Sequence, residues 1–106
     1  MGDWQAQIDE LVELTYKDEK AARQKAEGLL SMAEEKYGKE SREYMSLVHR
    51  LGIMHMLESD YERAEACFLE AMAAADGSLD IKPEELADIA KHLTMLYEAK
   101  ARNAEK

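Results

Sequence analysis

Three histidines and a single cysteine are the side chains of this chain best suited to catalysis or metal binding. His49 and His55 are six residues apart, which places them on different faces of a helix, so they do not form a zinc pair by themselves. His49 and His92 occupy nearly equivalent positions of two similar helices and could approach each other. Alternatively, His55 packs at a half-buried position and the other two face water or a ligand. Cys67 is expected to be a structural thiol rather than a reactive one.

The motifs of known catalytic and metal sites are missing from the sequence. There is no glycine-rich phosphate loop, no H-E-x-x-H, no EF-hand loop and no serine in a nucleophile elbow. One cysteine allows neither an internal disulfide nor a zinc site built mainly from thiolates. We therefore expect no enzymatic activity, no metal and no cofactor, and a metal- or histidine-dependent enzyme is a distant alternative.

The net charge of the chain limits the classes of partner that it is expected to bind. Asp and Glu number 23 against 14 Lys and Arg, which gives a net charge of −9. Such a surface repels nucleic acid and anionic membranes. The pattern of a signal peptide, a charged start followed by an apolar run, is not seen, and no apolar stretch has the length of a membrane span. A cytoplasmic location is the expectation, since a single cysteine suits a reducing compartment.

The composition predicts an all-α protein. Only one proline and five glycines interrupt 106 residues, and good helix formers fill the rest. A chain of this length forms one domain.

The sequence partly repeats itself after 42 residues. Apolar or small residues recur at this spacing from about residue 22 to 97, as in the pairs Leu47 and Ile89, Val48 and Ala90, Leu51 and Leu93, Met54 and Leu96, and His55 and Tyr97. Each unit contains two amphipathic segments. Asp18 and Asp60 are expected to cap helices, Gly38 and Gly77 to end them, and Pro83 to begin the last one. Five helices are predicted.

The segment from Gly52 to Ala71 resembles a tetratricopeptide repeat. Leu51-Gly52 on a first helix is followed by Asp60-Tyr61 at the turn and then by Ala64, Phe68 and Ala71 on the second helix. Small Gly52 and Ala64 suit a close helix crossing, and large Phe68 fills the gap. The long period and the segment 29–38, LLSMAEEKYG, are similar to the kinesin-light-chain subclass. HEAT repeats share the period, but the proline-bent first helix of that family is absent.

This resemblance implies an α-solenoid of antiparallel helix pairs, with about five helices in one domain, 1–106. Its two and a half units are 1–38, 39–80 and 81–106. In the family, successive first helices line a concave groove. Helical geometry then places these residues on the groove face: His49, Arg50, Ile53, Met56, Leu57, Lys91, His92 and Met95.

The predicted groove has an apolar floor and a basic wall, because two cations and two histidines lie beside apolar side chains. We expect it to bind a protein or peptide segment that carries an acidic side chain or a terminal carboxylate. A solvated face, or one covered by the last helix or by a second copy, is the alternative. Since arrays usually need about three repeats, an open end that pairs with another copy to form a homodimer, or a fragment of a longer array, also fits.

Overall fold

The structure is a computed structural model that describes residues 3–76 and 81–104. Apart from short turns, this part of the chain is helical and has no strand, which confirms the all-α prediction. The five helices are α1 (Asp3–Lys17), α2 (Glu19–Tyr37), α3 (Arg42–Leu57), α4 (Tyr61–Asp76) and α5 (Pro83–Ala104). The helix end expected at Gly77 lies outside the described residues. In the described ranges no helix is both long and apolar enough to cross a membrane.

Local sequence signals set the helix ends. The Asp18 carboxylate accepts a hydrogen bond from the Ala21 N–H at 3.1 Å, so Asp18 caps α2 as predicted. Gly38 ends that helix with a φ of 89°, a left-handed value at which a Cβ would be strained. Ser41 caps α3 in the same way as Asp18 caps α2, because its hydroxyl accepts from the Tyr44 N–H. Each cap satisfies a backbone group that the helix itself leaves without a partner.

Helices that follow one another in sequence pack antiparallel. In each pair, a residue near the start of one helix contacts a residue near the end of the next helix. Such contacts join Trp4 to Tyr37, Arg23 to Glu58, Tyr44 to Glu70 and Glu65 to Lys100. The turns that join α1 to α2, α2 to α3 and α3 to α4 are short and favour this arrangement, since they leave no length for a crossover.

Helices α3 and α5 lie side by side and run parallel. Near their starts, Arg42 forms an ion pair with Glu85 at 2.8 Å. Midway along them, His49 contacts His92. Two elements far apart in sequence therefore share one surface of the molecule.

The crossing of α3 and α4 has the small and large residues where the sequence predicts them. Phe68 and Ala64 are fully buried. A Cβ placed on Gly52 would lie 2.6 Å from Cε1 of Phe68, closer than van der Waals contact allows. Glycine at position 52 therefore permits this close approach of the helices.

Candidate functional site

The predicted groove residues are carried by α3 and α5, so the parallel packing of these helices decides which of them meet. Leu57, Met95 and Lys91 are exposed, with Leu57 at 69% and Met95 at 43%. The remaining five residues are half-buried: His49, Arg50, Ile53, Met56 and His92. The face is thus less open than a plain solvated surface, and its apolar members Ile53 and Met56 pack partly against the core.

His49 and His92 form the closest contact between the two helices. Nε2 of His49 lies 2.9 Å from Nδ1 of His92, and that Nδ1 is also 2.9 Å from the backbone oxygen of Asp88. Because a carbonyl oxygen only accepts, the contact with Asp88 requires His92 Nδ1 to be the donor. The single Nδ1 proton then has two acceptors, the Asp88 oxygen and Nε2 of His49. The two rings thus form a hydrogen-bonded histidine pair across the α3–α5 seam, as their spacing in the sequence suggests.

Burial keeps the His49 ring uncharged at neutral pH. Burial and, to a smaller extent, the neighbouring His92 lower the pKa of His49 to about 4; Arg50 acts in the same direction, and Asp88 opposes them. His49 therefore adds no positive charge to the face, contrary to the basic wall expected from the sequence. Arg50 and Lys91 are its permanent cations.

The histidine pair rests on the central aromatic residue of the core. The ring of Phe68 lies 5.8 Å from that of His49 in an edge arrangement and stacks on that of His92 at 6.0 Å. Such contacts fix ring orientation and add to the burial energy. The pair therefore connects the candidate face to the α3–α4 crossing beneath it.

Beside His49 is a cleft of about 180 Å³ with acidic walls. It is lined by Met45, Ser46, His49, Glu85 and Asp88. The sequence points to Glu85 only as an acid in the first turn of a helix. In the structure the same carboxylate binds Arg42, which lies 43 residues earlier. The start of the α3–α5 seam thus carries the carboxylate of Asp88 and a Glu85 carboxylate that is paired with Arg42.

Leu57 lies at the other end of the face. It lines a small apolar hollow of about 20 Å³ with Met54 and Ala22, next to the turn between α1 and α2. The apolar floor expected from the sequence is therefore divided between the α3–α5 seam and this hollow. Helical geometry places Leu57 on the same side of α3 as Arg50 and Ile53, but only the packing of α1 and α2 shows what it faces.

The remaining candidates for chemistry are enclosed in the fold. His55 is buried at 7% exposure, more deeply than predicted, and its Nδ1 has no hydrogen-bond partner among the described residues. Cys67 is half-buried, and burial together with the carboxylates of Glu70 and Asp60 raises the pKa of its thiol to about 11. A thiol of this kind is a poor nucleophile at neutral pH.

Residues 3–76 and 81–104 contain no cluster of three or more His, Cys, Asp or Glu side chains arranged to hold a metal ion. The histidine pair is therefore a contact between two imidazoles without a third such ligand beside it.

No protein-family model, curated protein or solved structure matches this chain.

Proposed function

We propose that this protein is a tetratricopeptide-like α-solenoid that binds a segment of another protein without catalysing a reaction. The observation that supports this most is the parallel contact of α3 and α5. Two adjacent parallel helices present a continuous face. Along this face lie solvent-accessible apolar side chains and permanently charged cations. A preformed face of this kind can hold an extended peptide or a partner helix with little loss of its own conformational freedom.

The charges of the face indicate where an acidic ligand group would bind. Arg50 and Lys91 make no ion pair within the described part of the chain, so their charges are available to a partner. Asp88 lines the cleft at the start of the seam, beside a Glu85 carboxylate that is paired with Arg42, and it would repel a ligand carboxylate. A terminal or side-chain carboxylate of the ligand therefore binds on the side of Arg50 and Lys91, where charge-assisted hydrogen bonds are possible.

The apolar contacts come from both helices. Met95 on α5 and Leu57 on α3 are exposed, and Ile53 and Met56 on α3 are half-buried and pack against the core. Methionine side chains adapt to different apolar partners. The ligand is thus expected to combine a carboxylate with one or two apolar side chains.

A peptide-display selection tests this function. The parent chain is compared with an Arg50→Glu, Lys91→Glu variant and with a control, Lys20→Glu, Arg63→Glu. The control changes the net charge by the same amount, at exposed positions of other helices. Lys20 forms no ion pair in the described chain, and Arg63 forms only a weak surface ion pair with Asp60.

We expect the parent and the control to enrich one related set of acidic peptides, and the groove variant to enrich none. Equal enrichment by all three chains would show that a peptide binds elsewhere than on this face. No enrichment by the parent would refute peptide binding.

A further inference from the structure

One nitrogen of the histidine pair is open to solvent. Nδ1 of His92 carries the proton that the Asp88 oxygen and Nε2 of His49 accept, so Nε2 of the neutral His92 ring holds a lone pair and no proton. That Nε2 has no hydrogen-bond partner in the described chain. Among the described residues, Nδ1 of His55 is the one buried side-chain nitrogen or oxygen that lacks a partner. Nε2 of His92 is therefore not buried and can exchange a proton with the solvent.

The pair can take up one proton at this nitrogen without losing a contact. Protonation of His92 at Nε2 leaves its Nδ1–H in place, so both acceptors keep their donor, which then belongs to a charged ring. Protonation of His49 at Nε2 would instead place two N–H donors against each other across the 2.9 Å contact. Burial, which lowers the pKa of His49 to about 4, also opposes a charge there. An added proton therefore resides on His92.

The charges around the pair disfavour a further cation until a carboxylate arrives. The surrounding groups come from three helices: Arg50 on α3, Glu85, Asp88 and Lys91 on α5, and the uncharged ring of Phe68 on α4. Glu85 is already paired with Arg42, so its charge is offset. Asp88 forms no ion pair in the described chain, but Arg50 and Lys91 outnumber it. A carboxylate bound beside these two cations restores the balance and favours a proton on the pair.

From this geometry we propose that His92 takes up a proton when the acidic group of a ligand binds beside Arg50 and Lys91, so that binding is tighter in mildly acidic solution. The proposal rests on the proposed peptide-binding function of this face. His92 then donates a charge-assisted hydrogen bond from Nε2 to the ligand carboxylate. Proton uptake and ligand binding are linked reciprocally. The carboxylate raises the proton affinity of His92, and a lower pH raises the affinity of the face for the carboxylate.

Imidazole ¹⁵N NMR of the free chain tests where the protons lie. The titration covers about pH 8 to 5, the range in which histidine side chains normally change charge. At the upper end we expect His92 to carry its proton on Nδ1. Toward the lower end a second proton should appear on Nε2 of His92, while His49 stays neutral. A neutral His92 with its proton on Nε2, or a His49 that is protonated before His92, would refute the shared-proton arrangement.

A small carboxylate probe tests the coupling to binding. N-acetylleucine combines one carboxylate with one apolar side chain, and N-acetylleucine amide is its uncharged control. N-acetylleucine should raise the pH at which Nε2 of His92 is half-protonated, and the amide should not. Its affinity, measured by NMR titration, is expected to be about 5-fold higher at pH ~5.5 than at pH ~8. Absence of any shift at His92 with N-acetylleucine at both pH values would refute a carboxylate site there.

His92→Gln is the matching variant, since glutamine keeps a hydrogen-bonding side chain but does not titrate. Its affinity for N-acetylleucine should be about equal at the two pH values. The Lys20→Glu, Arg63→Glu control should keep the pH dependence of the parent. An equal pH dependence in His92→Gln and in the parent would assign the proton to another group and refute the proposal. If His92→Gln fails to fold, the NMR titrations of the parent still decide.

The outcomes distinguish this proposal from the function on which it rests. If the display selection yields acidic peptides but their affinity for the parent does not change between pH ~8 and ~5.5, peptide binding stands and the proton-linked role of His92 is refuted. If the selection yields no peptide and N-acetylleucine does not bind at either pH, both are refuted.

Discussion

The close crossing of α3 and α4 gives a sharp test of the packing beneath the candidate face. An alanine at position 52 would place its Cβ 2.6 and 2.7 Å from two ring carbons of Phe68. The ring is fully buried and is held by the rings of His49 and His92, so it cannot move without displacing them. Overpacking of this kind costs about 1–3 kcal/mol of the free energy of unfolding.

A second helical glycine supplies the control. Gly28, within α2, is exposed, and a Cβ placed there would have no atom within 4 Å. Replacing a helical glycine with alanine stabilises a helix by about 1 kcal/mol, and this gain applies to both sites. The difference between Gly52→Ala and Gly28→Ala therefore isolates the steric cost, about 1–3 kcal/mol.

Urea denaturation followed by circular dichroism measures both variants against the parent. We expect Gly28→Ala to raise the midpoint and Gly52→Ala to lower it or leave it near that of the parent. With a slope m of about 1–3 kcal/mol per molar urea, each kcal/mol moves the midpoint by about 0.3–1 M, so the two variants separate clearly. In the Gly52→Ala background, Phe68→Leu should cost less than in the parent, because the smaller side chain relieves the clash. Equal stabilisation by both alanines would refute the close contact.

Three further predictions concern the histidine pair, the cysteine and a helix cap. Because the pKa of His49 in the folded chain is lowered to about 4, only the unfolded chain gains this proton between pH 6.5 and 4. As the pH is lowered through that window, the contribution of this site to the free energy of unfolding therefore decreases, by on the order of 1–2 kcal/mol after allowance for solvent. Between pH 7 and pH 4.5, urea denaturation should show a smaller loss of stability for His49→Gln than for the parent. The Cys67 thiol, with its pKa raised to about 11, should react with iodoacetamide at pH 8 roughly 100-fold more slowly in the folded chain than in urea. Asp18→Ala should lower the free energy of unfolding by about 1 kcal/mol, whereas Asp18→Ser should retain most of it, since serine also caps.

Each of these has a result that contradicts it. A pH dependence identical in the parent and in His49→Gln would mean that His49 binds its proton as readily in the folded chain as in the unfolded one. Besides burial, the neighbouring groups His92, Asp88 and Arg50 influence the pKa of this ring. Equal alkylation rates in folded and unfolded chains would show an accessible thiolate at Cys67. Asp18→Ala and Asp18→Ser with equal stability would mean that the side chain does not cap α2.

Much of the helical framework follows from local sequence. Asp18 and Gly38 act within one turn of their own positions, and Pro83 begins α5 because it needs no backbone donor there. The prediction of small Gly52 opposite large Phe68 was also possible from sequence, since the resemblance to a known repeat supplied the pairing. Such features depend on neighbours within a few residues or on a recognisable pattern.

The candidate face was predicted less completely, for a physical reason. Helical spacing identifies which residues of α3 share a side, but not what covers that side. The apolar hollow beside Leu57 is formed by the turn between α1 and α2, and the acidic cleft includes Glu85, whose partner Arg42 is 43 residues away. No local signal reports such contacts.

The sequence by itself determined the helical class, the helix ends at Asp18, Gly38 and Pro83, and the periodic apolar positions, because these depend on backbone propensity and on contacts within one turn. Tertiary structure decided the state of the histidines. Their spacing suggested that they approach each other, but the 2.9 Å contact across α3 and α5 and the burial that keeps His49 neutral arise only when the helices pack. Burial and long-range pairing depend on the arrangement of the whole chain, which sequence spacing alone does not specify.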